Sequence, residues 1–141
     1  MDTGYLIMNI SKNLKYTLNQ TLIQKGVTVQ QWAVMQQLSQ EKKHTAAALA
    51  YTLGMDKPTV SGILKRLELK KIVTKNSNPL DQRSYILSLT ELGLTLLNEY
   101  QGISEEIVGK YLVGLSLEEQ QTLNNLLLKI NQENSRKEDE R

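Results

Sequence analysis

The chain has 141 residues, enough for one domain with its own core and too few for two independent ones. It has no cysteine and a single histidine, which excludes disulfides, cysteine-ligated metal, cysteine redox sensing and a histidine-rich metal site, so no cofactor is expected. Net charge is only +2, and no run of 18 apolar residues or signal-peptide pattern occurs, so a soluble cytoplasmic protein with no membrane partner is expected.

Met1 to Lys25 reads as one helix. Ile7, Ile10, Leu14, Leu18 and Leu22 form a stripe at helical spacing, while Tyr5, Tyr16 and Ile23 lie on another side. A terminal helix that is apolar on two sides suggests a partner surface as well as a core surface. Gly26 is a natural helix terminator. Thr28 and Gln31 fit a capping box that opens a second helix to about Gln40. Its apolar residues, Val29, Trp32, Ala33, Val34, Met35 and Leu38, surround most of the circumference, as in a helix packed between other elements. His44 falls in a polar connection and reads as solvated.

Thr45 can cap a short alanine-rich helix that Gly54 ends. Asp56 is a good N-cap for the next helix, and Pro58 is harmless in its first turn. Val60, Ile63, Leu64 and Leu67 follow at i, i+3, i+4 and i+7, one buried stripe. The opposite face carries Pro58, Ser61, Gly62 and Lys65, with Thr59 and Arg66 on a flank. That face is small, hydroxylated and basic, as a helix entering a major groove must be. Val73 to Asn76 then reads as a strand, Ser77 to Gln82 as a turn, and Arg83 to Leu89 as a strand with Tyr85, Leu87 and Leu89 on one side. A basic hairpin directly after such a helix is a wing, so the fold class is mainly α with a small β-hairpin, a winged helix-turn-helix. From Met55 to Thr90 seven basic residues stand against three acidic ones, +4 in all, leaving −2 for the rest of the chain. Charge gathered on the motif suits a polyanion. The expected DNA contacts are Lys57, Pro58, Thr59, Ser61, Gly62, Lys65, Arg66, Lys75 and Arg83. Arg83 would enter the minor groove, and Asp81 would orient it rather than touch DNA.

Thr90 or a neighbour opens a long helix with two apolar bands, one running from Leu92 to Tyr111 and one holding Leu94, Leu97, Val108 and Leu112. Ser116 and Glu119 form a capping box for a last helix, with Leu123, Leu126, Leu127 and Ile130 as its stripe. The tail from Gln132 is predicted to fray. The terminal helices carry more apolar surface than one subunit covers, which points to a two-fold dimer on two-fold DNA. No nucleophile with a matching base and no phosphate-binding glycine loop occurs, so an enzyme is not expected.

The chain resembles the MarR family of transcriptional regulators. The resemblance rests on Thr28 to Met35 ahead of the motif, Leu49-Ala50, Leu53-Gly54, Pro58 to Glu68, Asp81-Gln82-Arg83 in the wing and Leu89 to Gly93 after it. It implies a single MarR-like domain over residues 1–141, with residues 28–90 reading DNA and residues 1–25 and 91–141 forming the dimer. It further implies a homodimeric repressor on pseudo-palindromic operator DNA, released by a small aromatic or anionic effector. A site near Tyr16, Trp32 and Met35 would take that effector; no charge pattern marks an anion site there, and Lys12 and Lys15, which could serve as its cation, also read as surface lysines. Two departures stand out: Lys71 where the family usually has glycine, and Gly62 where arginine is common. Alternative readings are a ligand-independent architectural DNA binder and a winged-helix module that binds protein.

Overall fold

The computed structural model describes residues 1–139. In chain order the elements are α1 (Thr3–Gln24), α2 (Val29–Leu38), α3 (Ala46–Leu53), α4 (Lys57–Leu69), β1 (Val73–Ser77), β2 (Tyr85–Leu89), α5 (Glu91–Tyr111) and α6 (Leu117–Asp139). The chain forms two compact units, Met1–Glu105 and a second from Glu106 onward.

Most helix starts follow from local chemistry. The Thr28 hydroxyl accepts from Gln31 N at 3.1 Å while Gln31 Oε1 accepts from Thr28 N at 3.1 Å, a complete capping box. Thr45 accepts from Ala48 N at 3.2 Å, and Ser116 and Glu119 exchange bonds of 2.9 and 3.1 Å. Gly54 ends α3 at φ +64°, in the left-handed region. These bonds satisfy backbone groups that a helix terminus leaves without partners.

The core of the first unit is built on α2, which packs against α1, α3, α4 and β2. Leu22, Val34, Met35, Leu49, Val60 and Leu67 are fully buried. Each is worth about 1.5–3 kcal/mol in transfer from water. The predicted α4 stripe is wholly inside, with Val60, Ile63, Leu64 and Leu67 all buried.

Three expectations change. His44 is buried, not solvated: its Nε2 lies 2.9 Å from the Gln40 carbonyl, and its own carbonyl accepts from Leu87 N at 2.9 Å. That bond ties the loop before α3 to β2, which is why the ring is covered. The stripe of α1 is covered only in its second half: Leu18 and Leu22 are buried, whereas Ile7 and Ile10 are exposed along with Tyr5, Leu6 and Met8. The helix α6 runs through most of the tail predicted to fray, and none of its described side chains is buried; Glu140 and Arg141 lie outside the described residues. Leu126, Leu127, Leu128 and Ile130 are each about half exposed.

The junction from α4 to the wing is strained at one place. Lys71 sits at φ +61°, the sole non-glycine at positive φ among the described residues. A side chain there costs about 1–2 kcal/mol, partly offset by the backbone entropy a glycine would lose. Lys71→Gly should therefore raise stability by about 0.5–1 kcal/mol, a few degrees in melting temperature for a chain of this size. Thermal denaturation followed by circular dichroism checks this; an unchanged or lower midpoint would mean that the conformation carries no strain.

Candidate nucleic-acid interface

The recognition helix begins with an N-cap that also engages a candidate contact residue. Asp56 Oδ1 accepts from Thr59 N at 2.8 Å, and Thr59 Oγ1 donates to Asp56 Oδ2 at 2.8 Å. The main-chain N–H of Thr59, then its hydroxyl, hold the Asp56 carboxyl below the usual carboxylate range. The Thr59 hydroxyl proton is therefore committed to the cap, which leaves that oxygen to act as an acceptor. Ser61, one residue after the buried Val60, is exposed and makes no such bond.

The wing is a two-stranded antiparallel hairpin in which Val73 pairs with Leu89, Lys75 with Leu87 and Ser77 with Tyr85. Its tip is held by side chains. Asn78 Oδ1 accepts from Leu80 N at 3.0 Å, Asp81 Oδ1 accepts from Arg83 N at 3.0 Å, and Asn78 Nδ2 donates to Ser84 Oγ at 3.0 Å. Asp81 thus grips Arg83 through the main chain. These turn bonds fix where the Arg83 side chain leaves the loop.

Between α3, α4 and the wing lies a trough of about 1080 Å³. Of the expected contacts, Lys57, Ser61, Lys65, Lys75 and Arg83 line it, and so does Asp81. Pro58, Thr59, Gly62 and Arg66 are on α4 but outside that lining. The sequence reading missed Lys71 and Tyr85, which also line it. Lys71 had one available signal, its place in the basic segment. Tyr85 had none, because strand alternation set it with Leu87 and Leu89, yet it is 49% exposed against 5% for Leu87. That face of β2 leaves the core as it approaches the tip. The remaining basic residue of the junction, Lys70, donates to the Gly26 carbonyl.

Five cationic and two acidic side chains line the trough. Among the described residues the ion pairs are Lys25 with Glu99 and Lys110 with Glu106, so none of the five cations is paired with a carboxylate. A concave surface with unpaired cations and a helix edge of small residues binds a phosphodiester backbone and admits base edges.

Gly62 lies on the exposed face of α4, and a Cβ there would meet nothing within 4 Å. Gly62→Ala should stabilise the helix by about 1 kcal/mol. Gly62→Arg should fold equally well and steepen the salt dependence of DNA binding by about 0.9 in log–log slope, if the new guanidinium reaches a phosphate. Titration at several salt concentrations measures this, and an unchanged slope would place position 62 away from the backbone.

The candidate effector residues are not gathered in one cavity. Met35 is fully buried in the core, and Tyr16 is 68% exposed. Tyr16 lines a shallow hollow of about 370 Å³ with Lys15, Asn19, Thr28, Val29 and Gln30. Trp32 is half-buried, and its indole N–H, shielded from solvent, meets no acceptor among the described residues.

A helix, a turn, a recognition helix with a small basic face, and a basic hairpin beside it define a winged helix-turn-helix DNA-binding protein. The MarR family model matches residues 27–85. The homoprotocatechuate degradative operon repressor of Escherichia coli is 33% identical over 115 residues, 81% of this chain and 78% of the repressor. Among solved structures, wild-type MarR from Escherichia coli in its apo form matches with a TM-score of 0.83 and 25% identity, covering 92% of this chain and 96% of that one. The Staphylococcus aureus MepR–DNA complex matches with a TM-score of 0.74 and 28% identity, covering 94% and 98%. The chain belongs to the MarR family; it is a transcriptional regulator that binds DNA, and not an enzyme.

Proposed function

We propose that this regulator is a homodimeric repressor that grips two-fold operator DNA with α4 and the wing of each subunit, and lets go when a small aromatic or anionic effector binds. The observation that carries the reading is the trough with its five unpaired cations beside Ser61. Residues 28–90 serve as the DNA-reading part, and residues 1–25 and 91–141 serve dimerisation. The uncovered apolar half of α1 and, separately, the apolar face of α6 support a second copy as partner, since monomers rarely leave such faces in water. Repression follows the Escherichia coli relative, which is named as a repressor. Among the described residues no helix is long and apolar enough to cross a membrane, in keeping with work on DNA in the cytoplasm.

The effector is proposed to bind beside Tyr16 and Trp32. The Tyr16 hollow has Lys15 at its edge, and the free indole N–H of Trp32 is a donor in search of an oxygen. Met35, fully buried in the core, does not line that hollow.

The test is a fluorescence-anisotropy titration of the protein against the intergenic DNA upstream of its own reading frame, at two salt concentrations, with random duplex as competitor. Tight binding that survives competitor is expected. Equal loss of both duplexes as salt rises would leave only non-specific electrostatics and overturn the operator-specific reading. Sedimentation showing a monomer at micromolar concentration would overturn the dimer.

A further inference from the structure

Tyr85 is the one aromatic side chain in the trough lining, and it is not alone there. The register sets Lys75 opposite Leu87, and Tyr85 is two residues before Leu87, so Lys75 and Tyr85 share one face of the hairpin on a diagonal. The Lys75 ammonium lies 4.6 Å from the centre of the Tyr85 ring. Both side chains are exposed, and both line the trough with Lys65 and Arg83. The Tyr85 hydroxyl has no hydrogen-bond partner among the described residues, and neither does the ammonium have a carboxylate.

We propose that Tyr85 and Lys75 act as one phosphate-holding pair. The ring keeps the long lysine side chain on the DNA side of the wing, so less rotamer freedom is lost on binding. The phenol hydroxyl, a neutral donor at the open end of the same face, gives a hydrogen bond to a phosphate oxygen. Tyr85 is thus a direct contact and a positioning residue for Lys75. The pair takes a phosphodiester, and its role rests on the DNA-binding reading given above.

The two functions of the ring separate in a salt series with operator and random duplex. Tyr85→Phe keeps the ring and loses the donor; affinity should fall about 5-fold, equally for both duplexes, with the salt slope unchanged. Lys75→Ala should make the slope shallower by about 0.9. Tyr85→Leu should cost more than Tyr85→Phe when Lys75 is present, and the same as Tyr85→Phe in the Lys75→Ala background, because no cation is left to position. Wild-type affinity in both Tyr85 variants would overturn the contact. Additive losses of Tyr85→Leu and Lys75→Ala would overturn the coupling, and a loss confined to the operator would overturn the phosphate assignment. Failure of the wild-type chain to bind either duplex would remove the DNA reading itself, and the pair with it. Tyr85→Phe is an exposed, near-isosteric change, so its folding is not at issue.

Discussion

Gly93→Ala is expected to destabilise the protein by about 3 kcal/mol, at the upper end of what overpacking costs. A Cβ on Gly93 would stand 2.3 Å from the Ile72 carbonyl oxygen and 3.2 Å from Leu89 Cδ2. The obstacle is backbone, and it is held. The Ile72 carbonyl accepts from Thr90 N at 2.9 Å and from Thr90 Oγ1 at 3.1 Å, while Thr90 Oγ1 also lies 2.6 Å from the Lys71 carbonyl and accepts from Gly93 N at 3.0 Å. The root of α5 is therefore bolted to the exit of α4, and neither side yields without losing hydrogen bonds. The melting midpoint should drop by roughly 10 °C for a chain of this size. Gly62→Ala, made in parallel, should move it the other way, since that glycine faces open space. A Gly93→Ala midpoint within two degrees of wild type would show that the contact is soft.

Arg83→Ala is the second large effect, this time on binding and not on folding. Operator affinity should fall by about 1–3 kcal/mol, roughly 5- to 150-fold. The reason is preorganisation. Asn78 and Asp81 hold the main chain on both sides of the tip, so the guanidinium is presented without ordering a loop. Arg83 is exposed and free of carboxylates among the described residues, so removing it leaves no buried charge and should not move the melting temperature. Arg83→Lys keeps the charge and loses the planar fork; partial recovery would favour a groove contact, and full recovery a simple phosphate contact. An anisotropy titration that found Arg83→Ala equal to wild type would mean that the wing tip does not reach DNA.

The contrast between these two residues also measures how far the chain could be read in advance. The place of Arg83 at the wing tip was legible because the turn chemistry that sets it lies within a few residues. Gly93 stood in a segment that carried the family resemblance, but nothing local said what it touches; its neighbour, Ile72, comes from the far side of the wing. Lys71 was legible as an anomaly, a lysine at a glycine position, and its positive φ is the physical form of that anomaly. For Thr59, an expected DNA contact, the sequence shows an N-cap at Asp56 and a threonine beyond it but not that the cap takes both of the threonine's donors.

Helix starts, the α4 stripe and the basic segment are matters of spacing over one or two turns, so short-range hydrogen bonds and the period of the apolar residues make them legible in the sequence. Which charges meet is another matter. Lys57 and Lys65 come from a helix, Lys71 from its exit, Lys75 from β1 and Arg83 from the turn before β2, and only the packing of α4 against β1, with the hairpin register, brings them to one trough. The same packing buried His44 and turned Tyr85 outward, because burial depends on what another part of the chain lays over a residue, and strand alternation is silent on where a sheet face leaves the core.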